Sequence, residues 1–341
     1  MLRALAQRGG QHHLAAGFDD GSVQAPTPTE IVPGLEARAA RDVTLDTLLK
    51  RHAPDRLHLH NVVNPLALEQ AAARGALLTI QDHRFFCPGR GKLTGAGEVC
   101  DQPMSATTCA RCFDDARYFD QVLSLTRRRL DAARGMAAIT VLSDYMKREL
   151  VRAGVEARRV HVIPPFVDGL DQAATPAGPP CALFVGRLVE AKGVRDAIAA
   201  WRSSRVRLPL VLAGTGSLRA ALEGEQHQDI ELRGWVPHHQ LAALYARARV
   251  LIFPPRWQEP FGIVGLEALF MGVPVAAWQS GGVREWFPGT TLPGWGDVDA
   301  LAELICASAE RSGEAAEGFD RDLLMERLIA LYDGRRRTDD E

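Results

Sequence analysis

The chain has 341 residues, 46% of them hydrophobic and 24% charged, with a formal net charge of -2. That length exceeds what one core usually serves, so two globular domains are expected, and near neutrality without a long basic run excludes nucleic acid as the main partner. The chain has no run of eighteen apolar residues, and the opening LRALAQRGG lacks the apolar core and cleavage site of a signal peptide. The expected location is therefore cytoplasmic, with at most peripheral contact at the inner face of a membrane.

LRALAQRG reads as a helix and HHLAAG as a short strand, so the chain opens on a helix, whereas an α/β domain normally begins with a strand and a glycine turn. One element is expected to be missing ahead of Met1. Gly21 to Arg41 reads as loop, Leu45 to Arg51 as helix, and RLHLHN as a strand in which Leu57 and Leu59 alternate with His58 and His60. One histidine of that pair should face the layer above, and His60 and Asn61 end the strand on its ligand-binding edge. Asn64 caps a helix opened by Pro65. The strand ALLTI then runs into Gln81, Asp82, His83 and Arg84, a polar cluster with acid/base chemistry at a strand end.

Beyond it lies a glycine-rich stretch, residues 87–112, too long and irregular to stand without a staple. Of the six cysteines, Cys87, Cys100, Cys109 and Cys112 fall here, spaced C-x12-C-x8-C-x2-C, while Cys181 and Cys306 read as buried small hydrophobes. Four thiolates in a reducing compartment point to a structural zinc. A redox-active or disulfide pair, an iron–sulfur cluster and inert cysteines are the alternatives. From Tyr118 to Arg134 runs a long helix whose Arg127, Arg128 and Arg129 read as a solvated face. Ser143 and Asp144 cap the next helix, strand RVHVI follows, and GLDQAATPAGPP reads as a linker.

The second half alternates strand and helix with short loops, which implies a parallel sheet covered on both faces. Its apolar bodies are core, so function should lie in the turns at the strands' carboxyl ends. Arg187 and Lys192 in GRLVEAKG flank one such turn and can reach two phosphates, Arg as a fork and Lys as a point charge. Gly214 and Gly216 let a backbone approach a ligand; a dinucleotide fingerprint there is opposed by Arg219 at its third small-residue position. Phe261, Gly262 and Ile263 open a helix whose N–H groups suit a phosphate or sugar hydroxyl, and Glu267 can accept from two vicinal hydroxyls.

The motifs FVGRLVEAKG, LVLAGTGS, LRGWVP and VLIFPPRWQEPFGIVGLEALFMGVPVAAWQSGGVREW, with VLSDYMKRELVRAGV and RVHVIPPFVD in the first half, resemble the retaining glycosyltransferases of family 4. The resemblance implies the GT-B fold, two Rossmann-like domains facing across a cleft. Here the domains are residues 1–168, the acceptor side, and residues 181–317, the nucleotide-sugar side. Residues 169–180 would link them, and a C-terminal helix in residues 318–334 would pack back on the first domain. By the same resemblance Arg187 and Lys192 hold the donor diphosphate, Glu267 the ribose, and the main chain near Val236 the base, while Glu259 lies by the transferred sugar. The cysteine stretch looks like that of a bacterial subset. Two departures stand out: Gln81 replaces the family's usual histidine, whose duty is then either lost or shifted to His83, and the family's first strand with its glycine turn is absent.

The function expected is transfer of a sugar from a UDP- or GDP-sugar to a sugar, lipid-linked or other hydroxyl acceptor with retention. Synthesis of cell-surface polysaccharide, glycolipid or another glycoconjugate is the expected setting. Catalysis would fall to Glu259 with His83 and Asp82, without a divalent metal. The alternatives are a non-catalytic nucleotide-sugar-binding subunit and a dinucleotide-dependent oxidoreductase.

Overall fold

The computed structural model describes residues 2–9, 11–19, 25–225 and 228–334; Met1 and the start of the loop read from Gly21 lie outside them. The chain divides into two bodies, Met1–Pro164 with Arg321–Glu341, and Pro165–Asp320.

The first body runs α1 (Leu2–Ala6), β1 (Leu14–Ala16), β2 (Thr29–Ile31), α2 (Asp46–His52), β3 (His58–His60), α3 (Pro65–Ala72) and β4 (Leu77–Ile80). It continues through α4 (Ala106–Ala110), α5 (Ala116–Arg134), β5 (Ala138–Val141), α6 (Asp144–Arg152) and β6 (Val160–Val162). β1 and β2 form a parallel pair of their own, and β3-β4-β5-β6 form one parallel sheet in that order. Leu59, Leu78, Ile139 and Val160 lie side by side in register and face the core with Leu68, Leu130, Met146 and Leu150. Each such fully buried side chain stabilises by roughly 1.5–3 kcal/mol. Local chemistry fixes the helix starts: the Asn64 side chain accepts the Leu66 N–H ahead of Pro65, and Ser143 accepts the Met146 N–H.

The opposite face of that sheet carries a bonded polar row beside Leu77 and Ala138. Successive strand residues alternate faces, so His58 and His60 share one side, and their rings stack at 4.0 Å. His58 Nδ1 meets the hydroxyl of Tyr332 at 2.7 Å, its Nε2 meets Thr79 Oγ1 at 2.8 Å, and Thr79 bonds Thr140 at 2.6 Å. Burial, with the neighbouring His60, pushes His58 down to about 2. Tyr332 belongs to the helix Arg321–Asp333, which joins this body.

One reading of the arginine run changes. Arg129 is not on a solvated face: it is 4% exposed, and its guanidinium donates to the carbonyls of Val63, at 2.7 Å, and Arg38. Burial lowers it only to about 10, so it keeps its charge. Arg128 does stay at the surface, paired with Glu69 at 2.8 Å.

The second body is β7 (Cys181–Val185), α7 (Val194–Ser203), β8 (Leu210–Ala213), α8 (Arg219–Gly224), β9 (Ile230–Gly234), α9 (His238–Arg247), β10 (Ala248–Phe253), α10 (Ile263–Phe270), β11 (Val275–Ala277) and α11 (Val298–Ala309). Its parallel sheet has the order β11-β10-β7-β8-β9, so strand order reverses between β7 and β10. Phe184, Leu212, Ile252 and Ala276 from the sheet pack with Val194, Ile198, Leu301 and Ile305 from the helices. Residues 169–180 are attached here rather than left as a linker. Ala177 N–H donates to Ala243 O at 2.9 Å, and the buried Arg247 donates to Pro179 O at 2.8 Å and Ala177 O at 3.2 Å.

Candidate active site

In an open parallel sheet, ligands bind beyond the carboxyl ends of the strands, at the point where strand order reverses. Here that point lies between the turn after β7 and the turn after β10, which carry Arg187 with Lys192 and Glu259 with Phe261. The two turns are pressed together. A Cβ on Gly193, whose φ is +68°, would sit 1.7 Å from the carbonyl oxygen of Pro254, so only glycine fits. The contact brings the Lys192 ammonium against Glu259, 3.1 Å from Oε1 and 2.9 Å from Oε2. Trp257 Nε1 donates to Oε2 at 2.5 Å, and the Lys192 ammonium stands 4.8 Å above the Trp257 ring.

The backbone beneath Glu259 is clamped as well. Ser280 Oγ accepts the Glu259 N–H at 3.1 Å and donates to Trp257 O at 2.6 Å, while Gly282 N–H donates to Glu259 O at 2.7 Å. Gln258 Oε1 accepts the Gly281 N–H at 2.9 Å, and its Nε2 has no hydrogen-bond partner among the described residues. Glu259 is 7% exposed, so its carboxylate position is set before any ligand arrives. Arg187, by contrast, is exposed at the end of β7, and its guanidinium pairs with no carboxylate among the described residues.

Gly262, at φ +86°, caps α10 in the left-handed region, and the first N–H groups of that helix lack intrahelical acceptors. One turn in, Glu267 is 7% exposed with both oxygens engaged: Oε1 with His238 Nε2 at 3.0 Å, and Oε2 with the Tyr245 hydroxyl at 3.0 Å. Tyr245 is fully buried, and burial together with Glu267 raises its hydroxyl far above the ordinary value, so it stays a donor. Tyr245, His238, Trp257 and Gln258 were not picked out from the sequence. An aromatic four residues after Leu241 on a helix reads as core, which Tyr245 also is.

Added Cβ atoms on Gly214 and Gly216 would stand 1.8 Å from Gly186 O and 2.4 Å from Leu188 O, so both positions need glycine for the turns after β7 and β8 to pack together. Val236 follows β9 in a half-buried position, next to the exposed Trp235.

In the first body, Asp82 and His83 do not form a solvent-facing acid/base pair. Asp82 caps the short 3-10 turn His83–Phe85 through the Arg84 N–H and grips the Arg84 guanidinium. Burial pushes its carboxyl up, but the Arg84 contacts outweigh this and hold it below the ordinary value. His83 is 3% exposed, its Nε2 is 3.1 Å from the Tyr145 hydroxyl, and burial lowers it to about 4. The 3-10 turn rotates the chain so that this ring points inward, and Gln81 is the exposed group at the strand's end.

The four cysteines of residues 87–112 are unbridged. Cys87 Sγ accepts the Lys92 N–H at 3.4 Å and lies near Cys112 across Gly89, but the Cys100 and Cys112 sulfurs each turn toward a backbone carbonyl, 3.9 Å away. Among the described residues no group of three His, Cys, Asp or Glu side chains is placed to hold a metal ion, and the Cys109 thiol is raised by burial and then by its neighbours Cys87, Cys112 and Cys100. Lys92 ties the stretch to α6. Its buried ammonium pairs with Glu149 of α6 at 2.9 Å and donates to Gln102 O at 2.6 Å, while its carbonyl accepts the Cys100 N–H at 2.8 Å.

Comparison with known proteins agrees with this architecture. Residues 1–169 match the model described as Glycosyltransferase Family 4, and residues 179–310 match Glycosyl transferases group 1. A glycogen synthase of Mycobacterium tuberculosis is 36% identical over 160 residues, 44% of this chain, and the match spans 34% of that relative's length. A D-inositol 3-phosphate glycosyltransferase of Xylanimonas cellulosilytica is 28% identical over 93% of this chain and 84% of its own. Among solved structures, a sucrose-phosphate synthase of Thermosynechococcus elongatus superposes with a TM-score of 0.62 at 18% identity, over 86% of this chain and 76% of that one. Anabaena HepE, in complex with UDP-glucose, gives 0.60 at 17% identity, over 91% and 85%. With one model matched in each body and these folds as neighbours, the chain belongs to the glycosyltransferases of family 4, built on the GT-B fold.

Proposed function

We propose that the chain transfers a sugar from a nucleotide diphosphate sugar, of the UDP or GDP class, to an acceptor hydroxyl with retention of configuration. The observation that carries this reading is the placing of Arg187, Lys192, Glu259 and the α10 N-terminus on the two turns that flank the reversal of strand order. A diphosphate laid there meets an uncommitted guanidinium and an ammonium whose three donors are not exhausted by Glu259. It also meets the positive end of a helix. These groups oppose the charge that develops on the leaving diphosphate, so the reading needs no divalent ion. Glu259, held by Lys192 and Trp257, supports the transferred sugar electrostatically, and Glu267 receives the ribose hydroxyls.

HepE in complex with UDP-glucose favours a UDP-sugar donor. The acceptor is a sugar, lipid-linked or other hydroxyl, in synthesis of a polysaccharide, glycolipid or glycoconjugate at the cell surface. The proposal puts the reaction in the cytoplasm or at the inner membrane face. Separately, no helix among the described residues is long and apolar enough to cross a membrane. The test is release of UDP or GDP from a panel of nucleotide sugars with acceptor sugars present. Turnover lost in Glu259→Gln supports the reading, and turnover unchanged by that substitution defeats it.

A further inference from the structure

We infer that His238 is a second determinant of ribose recognition, acting by holding the Glu267 carboxylate in the orientation that meets two vicinal hydroxyls. The inference rests on the reading of Glu267 as the ribose carboxylate. A carboxylate on a flexible stem can rotate, and a hydroxyl pair is bound well only if the two oxygens present their remaining lone pairs in a fixed plane. Glu267 is fixed from two sides, each oxygen by its own donor: the Tyr245 hydroxyl from the core at 3.0 Å, and His238 Nε2 from the rim at 3.0 Å. A carboxylate only accepts, so the proton of this bond sits on His238 Nε2. Each oxygen has more than one acceptor site, so both bonds can persist when a hydroxyl arrives.

The two donors differ in what they can do. Tyr245 is fully buried and belongs to the packing of α9. His238 opens α9, its side chain is half exposed, and its ring lies beside Gly169. A half-exposed side chain that adds little to the core, yet places its N–H on a buried carboxylate, acts on the ligand side of that carboxylate. Its position in the helix gives it one further property: it can be replaced without opening the core.

The experiment compares wild type, His238→Ala, His238→Gln and Glu267→Ala. Affinity is measured for UDP and GDP, then for the 2′-deoxy and 3′-deoxy forms of whichever binds better, alongside KM, kcat and melting. Loss of His238 should weaken the ribonucleotide about tenfold and raise KM in step, with kcat within about twofold and only a small fall in melting, because the Tyr245 hydroxyl still holds Glu267. The advantage of the ribonucleotide over its deoxy forms should shrink, and Gln, which keeps an N–H donor, should restore most of it. If His238→Ala binds ribo- and deoxynucleotides as wild type does, or weakens all equally, the inference is overturned. If Glu267→Ala itself leaves the preference for the ribonucleotide intact, the ribose reading fails with it; a loss in Glu267→Ala alone removes only the role of His238.

Discussion

Removing Lys192 should cost more stability than removing Lys192 and the charge of Glu259 together. At 2.9 Å the pair attracts by roughly 6 kcal/mol with an effective dielectric of about 20, and desolvation of the two groups cancels most of that. Breaking a buried pair from one side strands a carboxylate at a typical cost of roughly 3–5 kcal/mol. The Lys192 side chain is 18% exposed and that of Glu259 9% exposed, and Trp257 Nε1 still reaches Glu259, so the low end applies, about 3 kcal/mol. Lys192→Met should then lower the melting of the second body by about 6–12 °C, at about 2–4 °C per kcal/mol for a body of this size. Lys192→Met with Glu259→Gln should lower it by only about a third as much, a coupling of about 2 kcal/mol plus the cost of Glu259→Gln alone. Calorimetry on the four forms measures this, with nucleotide affinity recorded in parallel because the ammonium is assigned to the diphosphate. If the double variant falls by the sum of the singles, the pair is not coupled and its part in presetting the site is refuted.

Arg187→Lys should cut turnover by at least about tenfold while leaving melting unchanged, because an exposed fork is lost and no ion pair is broken; equal kcat/KM in the two forms would count against the diphosphate role. His83 sits at about 4 in the fold against 6.5 unfolded. Between those values the unfolded chain binds the extra proton, so stability present above pH 6.5 is lost as pH falls toward 4, by up to about 3 kcal/mol. Denaturant midpoints at several pH values should show this slope, and His83→Gln should flatten it; a slope untouched by the substitution would reassign the acid sensitivity. Lys92→Met should open the cysteine stretch to protease, since it leaves Glu149 buried without its ammonium partner. Chelator should leave melting unchanged, whereas zinc release with a fall in melting would make the metal the staple after all.

The second body was legible because its signals are redundant. Four-residue apolar strands such as Leu210–Ala213 are buried throughout, and turns of glycine and charge follow each at one edge of the sheet. The caps at Asn64 and Ser143 were legible for the same reason, since a polar side chain before an apolar helix has one common use. Other residues failed for identifiable physical reasons. Three consecutive arginines on a helix are 100° apart, so they cannot all share one face, and Arg129 falls on the stripe of Thr126, Leu130 and Ala133. His83 was misplaced because strand alternation stops at Ile80 and the following turn has another period. Cysteine spacing gave the number of thiols but not their directions, which backbone hydrogen bonds decide.

The residues that shape the proposed donor site also hold the fold there. Gly193 is required because the Pro254 carbonyl occupies its side-chain space, and that same contact delivers Lys192 to Glu259. Gly281, at φ +48°, lies so close to Glu259 that a Cβ would meet its carbonyl oxygen at 2.2 Å, and Ser280 and Gly282 bond the Glu259 backbone on either side. A carboxylate fixed this way pays its ordering entropy on folding rather than on binding, so a donor finds it already placed. On the proposed reading, the Lys192–Glu259 ion pair must also accommodate a phosphate. Lys192 can do so without leaving Glu259, because an ammonium has three donors and the turn that carries it is pinned. The pairing of Lys192 and Glu259 is therefore compatible with both proposed roles, in which one cation would bridge the carboxylate beside the sugar to the diphosphate beside the helix.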